Sequence, residues 1–249
     1  MVLEQIIAAT VLVGLISPAG ILLFFALKKE RVDAFMFALV SFSTGTLLGA
    51  AFFDLLPESL SSVSASSALA LAFFGVITAF AMEKIIHWHH HHHADHAGEH
   101  KHPLGMLTLA GDAFHNIFDG IALAAAFMVS APLGIATTIA VICHEIPHEI
   151  GNFSLMLYSG YSRRDALLFN FGTALTAIAG AIAFFFFSSQ IANLQSYALA
   201  FAAGTFIYIA SADIFPELHK ETKLKNSIAQ LLLILIGAAI IWGVAAFIE

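Results

Sequence analysis

Histidines, carboxylates and amides recur at helical spacing within two otherwise apolar stretches of the sequence. The first stretch contains Asp112, His115, Asn116 and Asp119, and the second contains His144, Glu145, His148 and Asn152. Residues three or four positions apart share a face of an α-helix, so each set would line one helix face. Imidazole and carboxylate groups together suit Zn²⁺, and they also bind Fe²⁺ or Mn²⁺. The spacing therefore predicts a divalent-cation site shared between two helices.

The composition places these helices in a membrane. The chain has 249 residues, of which 59% are hydrophobic and 11% are charged, whereas soluble domains average about 25% charged residues. A net charge of -7 with only 10 basic residues excludes a nucleic-acid-binding module. We predict an integral membrane protein whose partners are divalent metal ions and the lipid bilayer, with no nucleic acid among them.

Eight segments are long and apolar enough to cross a bilayer, which requires roughly 20 residues per helix. They cover residues 5–27, 34–56, 67–86, 104–129, 133–159, 166–187, 195–215 and 227–248. Little sequence remains outside them. We therefore predict an all-α integral membrane fold of eight transmembrane helices, in which residues 1–249 form a single transmembrane domain.

The two polar helix faces are then buried at membrane depth. An ionisable side chain at the centre of a bilayer costs roughly 2.5–3.5 kcal/mol on insertion scales, so such residues face inward and are functional by default. A polar network that only joins two helices is the alternative. A cation would neutralise Asp119 and Glu145, which favours a metal site over that alternative.

The basic residues predict the orientation of the helices. All of them lie near the ends of odd-numbered segments: Lys28, Lys29, Arg31, Lys84, Lys101, Arg163, Arg164, Lys220, Lys223 and Lys225. The positive-inside rule then places both termini outside and these loops in the cytoplasm. We expect a multi-pass protein of a plasma or inner membrane.

Residues 42–58 and 201–217 form an internal repeat. They read FSTGTLLGAAFFDLLPE and FAAGTFIYIASADIFPE, and they agree at Phe42/Phe201, Gly45/Gly204, Thr46/Thr205, Ala51/Ala210, Asp54/Asp213, Pro57/Pro216 and Glu58/Glu217. The shared pattern is a helix with a buried Asp near its end, stopped by Pro-Glu. Because the second and seventh segments cross in opposite directions, we predict an inverted repeat of helices 1–3 and 6–8 around helices 4 and 5. Secondary transporters are commonly built in this way, with the substrate site at mid-membrane.

Two motifs are similar to the paired signature of a known family. HNIFDG at 115–120 and HEIPHE at 144–149 resemble the ZIP (zinc- and iron-regulated transporter-like) metal-ion transporters, and CHEIPHEIGN resembles their LIV-1 branch. The resemblance implies transport into the cytoplasm of Zn²⁺, or of Fe²⁺, Mn²⁺ or Cd²⁺. A homodimer is one possible assembly, and the sequence does not decide it. It implies a metal site formed by His115, Asn116, Asp119, His144, Glu145 and His148. Two positions depart from the family pattern: Asn152 stands where the branch has Asp, and Ala177 stands where many relatives have a Glu that helps hold a second ion.

The repeat and the topology predict how an ion would reach and leave this site. Asp54 and Glu58 would lie at the outer mouth as an entrance. Asp213, Glu217 and His219 would lie at the inner mouth as an exit. The carboxylates would attract a cation at each end of the path.

A histidine-rich loop, residues 87–103, follows the third segment. Nine of the 13 histidines lie within HWHHHHHADHAGEHKH, and we predict loop metal ligands at His89, His91, His93 and His96. Such tracts bind metal weakly, and in the cytoplasm they would collect ions that leave the site. A solvated tract without a role in transport is the alternative.

An intramembrane zinc metalloprotease is the alternative function. His144, Glu145 and His148 form H-E-x-x-H, in which two histidines bind zinc and the Glu is the general base. Pro147 occupies a position where this motif requires regular helix. The protease interpretation also leaves helix four, the repeat and the charge pattern unexplained, so we predict a transporter and not an enzyme. A receptor or scaffold leaves the mid-membrane charges unexplained.

Overall fold

The structure is a computed structural model that describes residues 1–26, 28–92 and 103–248, and these residues contain helices and no strand. Among them, seven helices are long and apolar enough to cross a membrane. The predicted all-α membrane fold is therefore confirmed.

We number the helices of the described chain by the segments that the sequence predicts, because each helix overlaps one segment. They are α1 (Val2–Ala26), α2 (Lys29–Gly49, Ala50–Leu55 and Leu56–Ser62), α3 (Ala65–His92), α4 (Pro103–Val129), α5 (Ala131–Tyr158), α6 (Arg163–Ala174 and Thr176–Phe187), α7 (Leu194–Tyr208, Ile209–Ile214 and Phe215–Leu218) and α8 (Leu224–Ile248). The seven apolar helices are all of these except α5. Because α5 carries the HEIPHE motif, its composition is more polar, and its crossing of the membrane stays a prediction.

The repeat pattern predicts that helix α2 stops at Pro-Glu, but the helix continues beyond these residues. Its middle part, Ala50–Leu55, is π-helical, and the chain then returns to α-helix and continues to Ser62. Proline lacks an N–H and clashes with the carbonyl four residues earlier, whereas a π-helical turn bonds to the residue five positions back. The widened turn lets the helix continue through Pro57.

The same π-helical turn occurs in α7, at the positions that the repeat aligns. It covers Ile209–Ile214 and is followed by Pro216 at the start of Phe215–Leu218. In the alignment of the two repeats, Ala50 matches Ile209 and Leu55 matches Ile214. The structural irregularity thus recurs with the sequence pattern, which supports an inverted repeat.

Aligned glycines also make equivalent helix contacts. A Cβ at Gly45 of α2 would lie 2.0 Å from the carbonyl oxygen of Ile234 in α8, and a Cβ at Gly204 of α7 would lie 1.9 Å from that of Ala72 in α3. Membrane helices approach closely where small residues remove the side chain. The helix pairs α2–α8 and α7–α3 therefore share one kind of contact, in which a glycine packs against a backbone carbonyl oxygen of the neighbouring helix.

The two central helices carry the predicted metal site and pack on each other and on the flanking bundle. α4 contacts α5, α6 and α7, and α5 contacts α1 and α2. The approach of α4 to α6 again uses glycine, because a Cβ at Gly120 would lie 1.9 Å from the Ala177 carbonyl oxygen. This close packing holds the polar faces of α4 and α5 at a defined distance.

Candidate metal centre

Four side chains from α4 and α5 converge on one point. His115, Asp119, His144 and Glu145 each offer one ligand atom, and these atoms all lie within 4.8 Å of one another. His115 Nε2 lies 3.1 Å from Glu145 Oε1, and His144 Nε2 lies 3.2 Å from Asp119 Oδ2. The two imidazole Nε2 atoms are 3.3 Å apart. We call these four residues the four-ligand cluster.

Helix geometry explains this convergence. His115 and Asp119 are four residues apart on α4 and so share one face of that helix. On α5, the His144 Nδ1 donates a hydrogen bond to the Ala140 carbonyl oxygen at 3.0 Å. Because a carbonyl oxygen can only accept, this bond leaves the lone pair of His144 on Nε2, which faces the cluster. The tautomer is therefore suited to binding a metal ion through Nε2.

The cluster is buried among apolar groups. Glu145 is 0% exposed, Asp119 is 2% exposed and His144 is 2% exposed. The His144 ring packs edge-on against Phe206 of α7, with 5.7 Å between ring centroids. Burying a charge costs a lot unless it is paired and hydrogen-bonded, so this environment favours the binding of a positive ion.

The carboxylates of the cluster have few partners of their own. Asp119 Oδ2 and both carboxylate oxygens of Glu145 are buried and have no hydrogen-bond partner among the described residues, apart from close approaches to the cluster histidines. Buried polar groups in native proteins are nearly always satisfied, by protein, water or ions. Two carboxylates and two imidazoles together supply the donor set that a borderline divalent cation prefers.

The other two predicted ligands lie beside the cluster rather than in it. His148 Nε2 lies 3.4 Å from Asp112 Oδ1, and the His148 ring stacks on that of His115 with 4.6 Å between centroids. The Asn116 amide donates to the Asp112 backbone carbonyl oxygen at 3.1 Å. The structure thus divides the six predicted ligands into four that converge and two that contact Asp112.

A cavity of about 250 Å³ leads away from the cluster on one side. It begins at His115 and Asp119 and is lined further on by Glu83 of α3 and Asp213 of α7. All its lining residues lie between the level of the cluster and the helix ends that adjoin the basic loops. We call the face of the bundle formed by the loops with basic residues the basic face. The described cavity therefore extends from the cluster toward the basic face.

The predicted exit residues differ in their surroundings. Asp213 is exposed and lines the cavity. Glu217 is also exposed, pairs with Lys220 and does not line the cavity. His219 is exposed beside Phe215, outside the cavity lining.

The predicted entrance residues differ in exposure. Asp54 is 4% exposed within the π-helical turn of α2. Glu58 is partly exposed on the following turn. Neither residue lines the cavity.

The structure describes only part of the histidine-rich loop. α3 continues to His92, so the first histidines of the tract, with His89 and His91 among them, extend the helix beyond its predicted end at residue 86. His93 and His96 lie outside the described residues.

Two contributors to the site were missed by the sequence interpretation. Glu83 accepts a hydrogen bond from the Tyr208 hydroxyl at the cavity wall, and its position inside a predicted membrane segment was a usable signal. Thr173 of α6 donates to Asp112. No spacing rule links Thr173 to α4, so only the fold could identify it.

The helices and the buried cluster define a multi-pass membrane protein with a metal-ligand set at its centre. Its sequence matches the profile of the ZIP zinc transporter family over residues 3–106 and 102–245. The chain belongs to this family, and the resemblance inferred from HNIFDG and HEIPHE is confirmed.

Individual relatives agree with this assignment. The chain is 34% identical over 248 residues to the zinc transporter YKE4 of Saccharomyces cerevisiae, with 86% of this chain and 72% of the relative covered. It is 37% identical over 145 residues to the zinc transporter zipt-7.2 of Caenorhabditis elegans, covering 57% and 31%. Over 116 residues it is 47% identical to human zinc transporter ZIP4, covering 46% and 18%. The match thus spans less than a third of the nematode and human relatives, and the similarity to ZIP4 confirms the likeness to the LIV-1 branch.

The family assignment decides against the protease alternative, because these relatives are transporters and not enzymes. The geometry agrees with that outcome. In a zinc protease, both histidines of H-E-x-x-H bind one ion, whereas His148 is not one of the four converging residues and contacts Asp112 instead.

Proposed function

We propose that this protein transports a divalent metal ion, Zn²⁺ foremost, across the membrane into the cytoplasm through the four-ligand cluster. The observation that carries the proposal is the convergence of two imidazoles and two carboxylates within 4.8 Å, on helices at the centre of the bundle. The zinc transporters that the chain resembles support zinc as the substrate.

The ligand chemistry supports zinc and a small group of similar ions. Mixed nitrogen and oxygen ligands suit Zn²⁺, Fe²⁺ and Mn²⁺, and Cd²⁺ competes for the same set. The free thiol of the described chain, Cys143, does not belong to the cluster. A soft ion such as Cu⁺ prefers thiolate or thioether ligands and is not expected to be transported.

The six residues that the family signature implies would contribute to metal binding in two groups. Asp119, His144 and Glu145, with His115, would replace the hydration shell of the ion. Asn116 and His148 lie next to this cluster, and His148 lines the cavity. They would act as the ion enters or leaves the four-ligand cluster.

The path on either side of the cluster follows from the acidic residues. Asp54 and Glu58 would draw the cation in on the face without basic loops. Asp213 and Glu83, both at the cavity wall, would receive it on the basic face. By the positive-inside rule this second face is cytoplasmic and both termini are outside, which gives the proposed direction of transport.

Transport of the purified protein in liposomes tests this proposal. A fluorescent zinc reporter inside the vesicles would record saturable Zn²⁺ uptake, and a panel with Fe²⁺, Mn²⁺ and Cd²⁺ would give the preference. We expect His144→Ala and Glu145→Gln each to lower uptake by at least about tenfold, since each removes one ligand from a buried charged site.

Glu4→Gln is the matched control for Glu145→Gln, because Glu4 is a solvent-exposed carboxylate near the amino terminus. It should transport like the unmodified protein. Absence of saturable flux for every ion, or full flux in His144→Ala, would contradict the proposal. Cleavage of a membrane peptide that depends on Glu145 would instead revive the protease.

A further inference from the structure

The carboxylate of Asp112 joins three helices next to the metal cluster. Its Oδ1 accepts a hydrogen bond from the Asn152 amide of α5 at 2.8 Å and lies 3.4 Å from the Asn116 amide nitrogen of α4. Its Oδ2 accepts from the Thr173 hydroxyl of α6. Asp112 is itself 3% exposed. Such convergence of donors on one buried carboxylate fixes its position.

His148 lies next to this carboxylate. The Nε2 atom of His148 lies 3.4 Å from Asp112 Oδ1, and 32% of the His148 side chain is exposed in the cavity. The ring is stacked on His115, with an angle of 28° between the planes. His148 therefore stands beside a cluster ligand, on the cavity side, with one nitrogen directed to Asp112.

Asp112 is poorly suited to binding the ion directly. A carboxylate has about four lone-pair sites. The Oδ1 of Asp112 faces two amides and one imidazole, and its Oδ2 accepts from one hydroxyl, so most of these sites are already used. The residue is also absent from the set of converging ligand atoms. Its contacts are those of a group that orients other ligands.

We propose that Asp112 is a positioning residue that holds the His148 imidazole at the cavity side of the four-ligand cluster and acts on metal transport through His148. The inference rests on the proposed transport function and adds a residue to it. With its Nε2 directed to Asp112, His148 would bind the ion through its other ring nitrogen as the ion moves from the cluster into the cavity. Thr173 and Asn152 hold Asp112 and so connect this step to α6 and α5.

A double-mutant cycle on zinc uptake tests the inference. Asp112→Asn keeps the shape of the side chain and removes its charge, and His148→Ala removes the group on which it acts. We expect Asp112→Asn to lower Vmax/KM by about tenfold and to add less than about twofold when His148 is already Ala, because residues that act through one another are not additive.

The control cycle pairs Asp112→Asn with Asp54→Asn, because Asp54 belongs neither to the four-ligand cluster nor to the cavity lining. There the two losses should multiply, as they do for separate sites. A merely structural role for Asp112 would give multiplied losses in both cycles, and that result would overturn the inference.

Thr173→Val provides a second route if Asp112→Asn does not yield monodisperse protein. It leaves the carboxylate in place and removes one of its donors, and its effect should also shrink in the His148→Ala background. A multiplied loss would again overturn the inference. The two proposals fail differently: without saturable uptake by the unmodified protein transport itself is wrong, whereas uptake with multiplied losses removes only the role of Asp112.

Discussion

The π-helical turns of α2 and α7 have a common pattern but different surroundings. Both turns occupy aligned positions of the repeat, and each contains an aspartate that is followed three residues later by Pro-Glu. Asp54 of α2 is 4% exposed, whereas Asp213 of α7 is exposed and lines the cavity. The repeated sequence pattern therefore specifies the π-helical turn, while packing decides which of the two aspartates is exposed.

This difference shows that two segments with related sequences have different surroundings. A symmetric arrangement would give the two aspartates equal exposure. The described cavity instead has Asp213, and not Asp54, in its lining. In transporters built from inverted repeats, the two halves exchange such roles as access alternates. Access to the two aspartates therefore reports which side of the bundle is open.

Thiol labelling should show the largest difference between the two turns. In a Cys143→Ser background, Asp213→Cys should react with a membrane-impermeant thiol reagent on the order of a hundredfold faster than Asp54→Cys, since a buried thiol reacts only when the structure opens locally. Mass spectrometry of zinc-free protein in liposomes would give both rates. Reagent supplied to one side at a time would also test the orientation. Equal rates would contradict the asymmetric cavity.

Substitution of the aligned glycines should destabilise both halves alike. Gly45→Ala and Gly204→Ala would each place a Cβ about 2 Å from a facing backbone carbonyl oxygen. We expect each to lower the free energy of unfolding by about 1–3 kcal/mol through overpacking, measured as loss of monodisperse protein on heating in detergent. Gly172→Ala is the control, because a Cβ there meets nothing within 4 Å. Tolerance of one substitution but not the other would break the equivalence of the two helix pairs.

Charge removal at the two aspartates should separate their contributions to transport. We expect Asp54→Asn to lower zinc uptake by about tenfold, because the attraction between a buried charge and a cation is screened much less than that of an exposed charge. Asp213→Asn should lower uptake by only about threefold, since water and neighbouring acids compensate at an exposed site. Initial rates at several zinc concentrations would measure both. A larger loss in Asp213→Asn than in Asp54→Asn would show that the exposure of the two aspartates in the membrane differs from that in the described structure.

The glutamates that follow the two prolines should have the smallest effects. Glu58→Gln and Glu217→Gln should each change uptake by about twofold or less, and the change should diminish at high salt, because surface charges are screened. Glu217 already pairs with exposed Lys220, so its loss should matter less than that of Glu58. A large, salt-independent loss for either variant would indicate a direct ligand.

Much of the site could be predicted because its signals are local. His115 and Asp119 share a helix face by spacing alone, and His144 with Glu145 lies in the matching apolar segment. The residues around Asp112 could not be found in this way. Thr173 lies 61 positions after Asp112, and Asn152 lies 40 positions after Asp112. Such sequence separations carry no periodic signal.

The helix ends were the least predictable part of the fold. Pro57 was expected to stop α2, and the π-helical turn that lets the helix continue needs the packing of the whole bundle. Likewise, α3 extends to His92, beyond the apolar stretch that marked it. Hydropathy locates the middle of a membrane helix because lipid excludes polar groups. It does not predict where the helix ends, because the last turns lie outside the lipid.

The sequence by itself determined the membrane environment, the helical fold and the candidate ligands, because hydropathy, helical period and residue chemistry are properties of short stretches. The tertiary structure alone decided that four of the six candidates converge while His148 contacts Asp112, and that the cavity reaches Asp213 and not Asp54. These outcomes depend on how closely α4, α5 and α6 pack and on which helix covers each turn. Such distances are set by contacts between residues far apart in the chain.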